Sequence, residues 1–279
     1  MPAALDAAGP PTCTFTSPGT FEPHLECGWS APPAGSAYPL HDDVVMTPTV
    51  MNLTDDDGDG DVDLADVPDI AFVSYRLAED GCCNVNGVLR VVSGRCEGGT
   101  LPQHVEVGPN EILAGTGLGV GLDNSAGIAL GDIDADGSPD IVGTLNGGGT
   151  IAFSRTGAIK WWNADHPKGA DHLAGTSPAI ADIDADGHPE VIQGRVVLNG
   201  QNGTLKFQGT AGLGTNGFMG PVSIASDLGL DGRTEVLAGN TAYDIVGTPL
   251  WTTPYAIPIT AGNCQSSGKP CDGFSATGN

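Results

Sequence analysis

Basic residues are scarce in this chain, which has 10 Lys and Arg against 34 Asp and Glu and a formal net charge of −24. Nucleic acids and anionic membrane surfaces are bound through basic patches, so neither is an expected partner. The chain also lacks any uninterrupted run of about 18 apolar residues, the length that a membrane-spanning helix needs. We therefore expect no nucleic-acid binding and no membrane insertion.

Long stretches with the 3.6-residue period of an amphipathic helix are also missing, which argues against a helical protein. Glycine and proline are abundant instead, with 43 and 21 residues. Both residue types suit a chain with many tight turns. Because 39% of the residues are hydrophobic, the chain can bury a core, and its acidity does not indicate disorder.

One acidic sequence occurs four times, at residues 55–63, 132–140, 182–190 and 227–235, with the pattern D-x-D-x-D-G-x-x-[DE]. Carboxylates at alternate positions, a turn-making glycine at position six and an acid at position nine can surround one Ca²⁺, which takes about six to eight oxygen ligands. The fourth loop has Gly229 where the others have their second carboxylate. We therefore predict four calcium loops, of which the fourth binds most weakly.

The candidate metal ligands are the acids of these loops, the residues at position seven, and one further acid at position twelve of the first loop. They are Asp55, Asp57, Asp59, Asp61, Asp63 and Asp66 in the first loop; Asp132, Asp134, Asp136, Ser138 and Asp140 in the second; Asp182, Asp184, Asp186, His188 and Glu190 in the third; and Asp227, Asp231, Arg233 and Glu235 in the fourth.

Short apolar runs flank every acidic loop. An apolar stretch precedes the loop, as at 127–130, and a β-branched run follows it, as at 190–193. Two further strand-like runs, such as 195–200 and 204–207, then lead to the next loop. Short strands joined by turns indicate an all-β fold. Four strands in roughly 40–50 residues match one blade of a β-propeller.

The unit of apolar strand, D-x-D-x-D-G-x-x-D loop and apolar strand resembles the FG-GAP/VCBS repeat, which is found in integrin alpha-subunit propellers and in many secreted bacterial proteins. The resemblance covers roughly residues 44–279 and implies a propeller in which the calcium loop joins the first two strands of each blade. It does not define a function, because the family includes adhesins, lectin-like binders and non-catalytic modules attached to enzymes. The sequence departs from the repeat at Gly229 and in its long first repeat.

The expected fold class is an all-β β-propeller of the FG-GAP/VCBS type, with four blades and the start of a fifth, as part of a longer propeller. Residues 1–43 are expected to form an extended leader that carries a disulfide. The expected blades cover about 44–108, 122–173, 174–218 and 219–266, and 267–279 begins the next, because 274–279 resembles 127–132. The first residues lack the basic and apolar regions of a signal peptide, so we expect that such a peptide was removed or that the true N-terminus lies upstream.

Seven cysteines occur in three local clusters, which are Cys13 and Cys27; Cys82, Cys83 and Cys96; and Cys264 and Cys271. Close spacing within loops rich in Gly, Ser and Pro is typical of disulfide-linked hairpins in an oxidising compartment, where calcium is also plentiful. Reduced thiols are one alternative, and a zinc site is another, although no pair of C-x₂-C knuckles exists. The odd number leaves one thiol over, which we expect to be Cys82 or Cys83.

The first acidic loop also allows a second interpretation, because Asp66 stands at position twelve from Asp55 and completes much of the EF-hand spacing. An EF-hand needs flanking helices. Pro48, Pro68 and the neighbouring β-branched runs argue against such helices.

Two weaker features point towards catalysis or sugar binding. The pairs Asp165–His166 and Asp171–His172 could supply a base or a metal ligand, but no nucleophile is near them in the sequence, and a solvated loop explains them equally. Trp161 and Trp162 could offer a ring for stacking on a sugar, although alternation along a strand usually places one of two neighbours in the core.

These features predict a secreted or cell-surface calcium-binding β-propeller that acts in cell adhesion or ligand binding and is not an enzyme. Its partner would be a protein or a glycan. The alternatives are a non-catalytic propeller domain of a secreted carbohydrate-active enzyme and a purely structural cell-surface repeat protein. Recognition in propellers lies in variable loops, so the repeat itself does not name the ligand.

Overall fold

The computed structural model of the chain describes residues 22, 24–83, 85–165, 175–214 and 220–253. Within these ranges the chain forms four antiparallel sheets, and in each sheet four consecutive strands pair with their sequence neighbours. Two helices, α1 (Leu77–Asp80) and α2 (Pro109–Thr116), are the helical elements of the described ranges, and neither is long enough to cross a membrane. The all-β prediction is confirmed, and its four-strand unit recurs four times.

The strands follow one another along the chain in the order of the sheets. The first sheet contains β1 (Thr49–Met51), β2 (Asp69–Ser74), β3 (Asn86–Ser93) and β4 (Gln103–Val107), with β5 (Leu122–Asp123) paired to the start of β3. The second contains β6 (Ala129–Gly131), β7 (Asp140–Thr144), β8 (Thr150–Ser154) and β9 (Ile159–Asn163). The third contains β10 (Ala179–Ala181), β11 (Glu190–Gln193), β12 (Val196–Asn199) and β13 (Leu205–Gln208). The fourth contains β14 (Ser223–Ser226), β15 (Glu235–Ala238), β16 (Thr241–Tyr243) and β17 (Pro249–Thr252).

The hydrophobic core lies between successive sheets. Ile133, Trp161 and Leu198 belong to a cluster between the second and third sheets. Phe207 and Tyr243 belong to a cluster between the third and fourth. The second strands of the second, third and fourth sheets are buried along their whole length, so their sequences are mostly apolar after the first acid and do not alternate between apolar and polar residues.

One contact repeats at every junction between these sheets. A side chain on the last strand of one sheet packs against a glycine in the last hairpin of the next sheet, where an added Cβ would lie within 2.3–2.7 Å of that side chain. The glycines also have positive φ angles, which favour glycine over any other residue. The pairs are Val105 with Gly157, Trp161 with Gly203, and Phe207 with Gly247.

The segment before the first strand packs on the first sheet. Cys27 forms a disulfide with Cys96, 69 residues away in sequence, so its pairing is not the local one that the cysteine clusters suggested. The carboxylate of Glu106 accepts hydrogen bonds from the hydroxyl of Ser36 at 2.5 Å and from the N–H of Ala37 at 2.8 Å. These contacts bring residues 24–43 beside the hairpin of β3 and β4, which is why Cys27 meets Cys96.

A second disulfide joins Cys82 to Cys83. The expectation that one of these two is the unpaired thiol is therefore wrong. Cys13, Cys264 and Cys271 lie outside the described residues. So do the predicted pair Asp171–His172, His166 of the other pair, and the predicted start of a fifth blade at 267–279.

Helix α2 was not predicted from the sequence, although its ends carry recognisable signals. Pro109 occupies the first helical position, and the Glu111 carboxylate accepts a hydrogen bond from the N–H of Gly108 at 2.9 Å. Gly117 ends the helix with a φ of 77°. The glycine-rich segment 115–121 therefore begins inside this helix.

Candidate metal sites in the acidic loops

The second, third and fourth acidic loops have the same conformation and join the first two strands of their sheets. In each of them, the first aspartate accepts hydrogen bonds from the N–H groups four and five residues further on. In the second loop, Oδ1 of Asp132 accepts from Asp136 at 3.1 Å and Oδ2 accepts from Gly137 at 2.9 Å. Asp182 and Asp227 make the same two bonds. The chain therefore curls around the first aspartate in all three loops.

The acid at position nine closes each of these loops. It is the first residue of the second strand, and it accepts a hydrogen bond from the N–H at loop position two. The distances are 3.4 Å from Ile133 to Asp140, 3.0 Å from Ile183 to Glu190 and 2.8 Å from Leu228 to Glu235. Position four has a left-handed backbone in every case, at Ala135, Ala185 and Leu230. These loops thus hold their acids by backbone geometry that the repeated sequence specifies.

The first acidic loop has a longer connection, and its closing acid differs from the prediction. The strand register pairs Met51 with Asp69 as it pairs Gly131 with Asp140, so Asp69 corresponds to the acid at position nine of the other loops. Asp69 accepts from the N–H of Leu53 at 2.9 Å, as Asp140 does from Ile133. Asp63, which the sequence pattern placed at position nine, is therefore not the counterpart of Asp140.

A second closure lies inside this longer connection. Asp55 accepts hydrogen bonds from Gly58 and Gly60, and the carboxylate of Asp66 accepts from the N–H groups of Asp56 at 2.6 Å and Asp63 at 2.8 Å. The carboxylate of Asp66, at position twelve, thus accepts the hydrogen bond from the N–H at position two that the acid at position nine accepts in the other loops. Backbone hydrogen bonds from Asp63 and Asp56 hold the pKa of the Asp66 carboxyl below its usual range. No helix flanks residues 55–66, so the EF-hand spacing occurs here without EF-hand helices.

Three groups of carboxylates could each hold a metal ion, because their oxygens lie within 4.8 Å of one another. Within the described residues these groups are Asp55, Asp57 and Asp66; Asp132, Asp134 and Asp136; and Asp182, Asp184 and Glu190. The fourth loop contributes no such group in this part of the chain, which accords with the missing acid at Gly229. The structure also brings Asp66 into the first group, and leaves Asp59, Asp61 and Asp63 outside it.

Two oxygens inside these groups have unused hydrogen-bonding capacity. Oδ1 of Asp134 and Oδ1 of Asp184 are buried atoms without a hydrogen-bond partner. A buried carboxylate oxygen of this kind is costly unless an ion or water binds it. The donor set is entirely carboxylate oxygen, which suits a hard cation such as Ca²⁺ or Mg²⁺ and not zinc. The residues therefore fit a hard divalent ion in the second and third loops.

Lysines from the last strands contact both of these loops, although the acidic pattern does not identify them. Nζ of Lys160 lies 2.6 Å from Oδ2 of Asp134 and 2.9 Å from both carboxylate oxygens of Asp140. Nζ of Lys206 lies 2.6 Å from Asp184 and 2.6 Å from Glu190. The signal available in the sequence was the position of the two lysines, each preceding an aromatic residue in the last strand of its repeat.

The charge environment of these groups shifts several pKa values. Burial raises the pKa of Asp140, and hydrogen bonds from Lys160 oppose that shift. Burial alone would lower the pKa of Lys160, but its hydrogen bonds to Asp134 and Asp140 outweigh burial and raise it. In the first sheet, burial raises the pKa of Asp69, whose Oδ1 has no hydrogen-bond partner and lies 3.7 Å from Nε2 of His104.

The residues at position seven and the two tryptophans are not members of these groups. At position seven, the N–H groups of Ser138, His188 and Arg233 donate to the aspartate two residues earlier.

Trp161 is buried and Trp162 is 41% exposed, as the alternation along a strand predicted. Trp162 is therefore the one of the pair whose ring faces solvent.

Several solved structures resemble this chain in fold. The biofilm matrix protein Bap1 of V. cholerae is 26% identical over 83% of this chain and 34% of its own, with a TM-score of 0.64. A rhamnogalacturonan lyase of Bacillus licheniformis is 16% identical over 78% of this chain and 32% of its own, with a TM-score of 0.46. The exotype rhamnogalacturonan lyase YesX is 20% identical over 77% and 39%, also with a TM-score of 0.46.

This chain therefore spans about a third of the length of Bap1. No curated protein matches the chain at a significant level. Residues 132–192, which include the second and third acidic loops, match the model of the FG-GAP-like repeat, and the chain therefore contains a repeat of this family.

Proposed function

We propose that this chain is part of a secreted, calcium-stabilised β-propeller that serves as an adhesion or ligand-binding module. The observation that carries the metal assignment is the pair of buried oxygens, Asp134 Oδ1 and Asp184 Oδ1, that lack a partner inside clustered carboxylates. A bound Ca²⁺ would supply a positive charge that links the loop to the start of the second strand. Calcium is favoured over Mg²⁺ because it tolerates irregular oxygen cages, whereas Mg²⁺ demands near-octahedral geometry and keeps several waters.

The propeller assignment draws on the open face of the fourth sheet. Trp251 pairs with Ala242 as Trp161 pairs with Ala152 and Phe207 with Val197, so these three are equivalent. Trp161 and Phe207 are buried against the next sheet, whereas Trp251 is 45% exposed. Leu228 is likewise 38% exposed, although its counterpart in the third loop, Ile183, is fully buried.

An apolar face of this kind is what a further repeat would cover. We propose blades at about 44–108, 122–173, 174–218 and 219–266, followed by another blade packed on Trp251. Closure of such a ring would also cover the open faces of its first and last blades. At each junction between described sheets, a hairpin glycine packs against a side chain on the last strand of the preceding sheet. The next blade should therefore place a hairpin glycine against the Trp251 ring.

The adhesion role rests on the likeness to Bap1, a biofilm matrix protein. Two disulfides accord with an oxidising compartment, and calcium reaches its highest concentrations outside the cell. On this account a glycan or a protein is the partner, bound by surface loops, and the clustered acids serve the metal and not catalysis. The carbohydrate-related alternative is a propeller module attached to an enzyme, whose chemistry would lie outside this chain.

The test of the binding role is a glycan array probed in millimolar calcium and again in excess chelator. The control is the variant Asp132→Asn/Asp134→Asn/Asp182→Asn/Asp184→Asn, in which the second and third loops lose four carboxylate charges. Glycan signals that require both calcium and intact loops support the proposal. Signals that persist in chelator would mean that glycan binding does not require the metal. A complete lack of signal in calcium would contradict the glycan role.

A further inference from the structure

The last hairpin of every sheet contains an irregularity at the same place. Between two registered pairs, the last strand carries one extra residue, which is His104 in the first sheet, Lys160 in the second, Lys206 in the third and Leu250 in the fourth. A bulge of this kind re-aims a side chain out of the regular alternation. In the first three sheets the re-aimed side chain approaches the first residue of the second strand, at 3.7 Å from His104 to Asp69, 2.9 Å from Lys160 to Asp140 and 2.6 Å from Lys206 to Glu190.

The identity of the bulge residue follows the identity of the residue at loop position three. Lys160 accompanies Asp134, and Lys206 accompanies Asp184, with 2.6 Å between the charged atoms in both pairs. In the fourth sheet both members change together, because Gly229 replaces the aspartate and Leu250 replaces the lysine.

The first sheet follows the same rule. Its strand register and the bond from Leu53 to Asp69 make Thr54 the counterpart of Asp134, and the bulge residue there is His104. Among the four described sheets, lysine therefore occupies the bulge only where position three is an aspartate. This correspondence within one chain indicates that the lysine serves that aspartate and is not a general feature of the hairpin.

The contacts made by each lysine overlap the carboxylates that a metal would use. Lys160 binds both oxygens of Asp140 and one oxygen of Asp134, lies 3.6 Å from Asp136, and leaves the buried Oδ1 of Asp134 without a partner. Lys206 likewise uses one oxygen of Asp184 and one of Glu190 and leaves Asp184 Oδ1. Two cations that share carboxylates at these distances repel each other.

We propose that Lys160 and Lys206 are built-in counter-cations that compete with Ca²⁺ for the carboxylates of the second and third loops. This inference rests on the calcium binding proposed above. Each ammonium neutralises part of the loop charge when no metal is present, so these two loops keep their shape in low calcium. The same ammonium weakens metal binding, so the two loops fill only at higher calcium concentration than their acids alone would require.

The first loop provides the contrast within the same molecule. In the described part of the chain, no Lys or Arg forms an ion pair with Asp55, Asp57 or Asp66. That group should therefore be the one whose conformation depends most on calcium. The chain would then fill its sites in order, with the first loop before the second and third.

The test is calorimetric titration of the metal-free protein with CaCl₂, comparing wild type with Lys160→Met/Lys206→Met. The methionine side chain keeps the length and removes the charge. We expect calcium to bind the second and third loops about tenfold or more tightly in the variant, and the thermal midpoint in chelator to fall. Arg76→Met is the control, since it removes one positive charge from a surface pair with Asp80 that is remote from the loops.

A graft into the fourth loop tests the same idea in the opposite direction and does not depend on the folding of the lysine variants. Gly229→Asp alone should tighten calcium binding there, and adding Leu250→Lys should weaken it again while raising the thermal midpoint in chelator. Unchanged or weaker binding in Lys160→Met/Lys206→Met, in a wild type that binds calcium, overturns this inference alone. No calcium binding by any of these proteins overturns both the inference and the calcium function.

Discussion

The indole Nε1 of Trp161 in the second sheet donates a hydrogen bond of 2.6 Å to the carbonyl oxygen of Gly200 in the third sheet. The ring of the same tryptophan lies against Gly203, where an added Cβ would be 2.3 Å from the indole. One side chain thus joins two sheets by a polar bond and by close packing. Val105 with Gly157 and Phe207 with Gly247 repeat the packing at the other two junctions, so each sheet is positioned by the one before it.

Replacing Trp161 should destabilise the protein much more than replacing its exposed neighbour Trp162, because only the ring of Trp161 is buried at the junction. Trp161→Ala removes a buried ring and leaves a cavity, so we expect a loss of about 3–5 kcal/mol in the free energy of unfolding. Its neighbour Trp162 is 41% exposed, and Trp162→Ala should change stability by no more than about 0.5 kcal/mol. Urea unfolding of both variants measures the difference, and equal effects would contradict the assignment of Trp161 to the junction.

Gly203 should tolerate no side chain, because two effects act there together. Its φ is 68°, and a Cβ would overlap the Trp161 ring. Gly117 has a similar φ of 77° with nothing near the added Cβ, so Gly117→Ala reports the backbone cost alone. We expect Gly203→Ala to cost about 1–3 kcal/mol more than Gly117→Ala. The comparison is again made by denaturant unfolding, and a smaller or absent difference would argue against close packing at this junction.

The two disulfides should contribute very differently to stability. The Cys27–Cys96 bond spans 69 residues, so its loss through Cys27→Ser/Cys96→Ser should lower the free energy of unfolding by about 2–4 kcal/mol. Cys82 and Cys83 are adjacent, so their bond closes no loop, and Cys82→Ser/Cys83→Ser should change stability by less than about 0.5 kcal/mol. If loss of the Cys82–Cys83 bond lowers the thermal midpoint as much as loss of the Cys27–Cys96 bond, loop closure is not the source of the stabilisation.

Acid should weaken the attachment of residues 24–43 to the first sheet through Glu106. Burial alone would raise the pKa of Glu106, but hydrogen bonds from Ser36, Ala37 and Arg90 outweigh it and lower that pKa. A carboxyl with a lowered pKa in the folded state stabilises the protein above its unfolded pKa of about 4.3, and this contribution is lost as the pH falls through the folded value.

The difference in thermal midpoint between wild type and Glu106→Gln should therefore be largest near pH 7 and shrink below about pH 4.3. Glu79→Gln, at a side chain that is 60% exposed, is the control and should show no such trend. A difference that stays constant between pH 7 and pH 3 would mean that the charge of Glu106 does not hold this segment.

Much of the architecture could be predicted because it follows from local sequence. The acidic loops and the β-branched runs after them specify a turn and a buried strand, and the structure has the four sheets that this spacing predicts. The aspartates of the second and third loops come together for the same reason, since their hydrogen bonds connect residues only four to seven positions apart. The missing acid at Gly229 also accords with the lack of a three-carboxylate group in the fourth loop.

Contacts between distant parts of the chain could not be predicted in this way. The pairing of Cys27 with Cys96 depends on where residues 24–43 cross the first sheet, and no local pattern records that path. The roles of Lys160 and Lys206 depend on a bulge that re-aims them across the sheet. In the first loop the acidic pattern predicts Asp63 as the acid that closes the loop. The strand register instead gives this role to Asp69, and Asp66 closes the inner turn.

The most direct test of the account is the calcium stoichiometry of the metal-free protein, measured by titration calorimetry and checked by the thermal midpoint in calcium and in chelator at equal ionic strength. We expect at least three bound ions per chain, assigned to the first three acidic loops, and a midpoint that rises with calcium by mass action. Asp134→Asn/Asp184→Asn should remove two of them. No binding, together with a midpoint that is the same in calcium and in chelator, would contradict the calcium sites on which the proposed function depends.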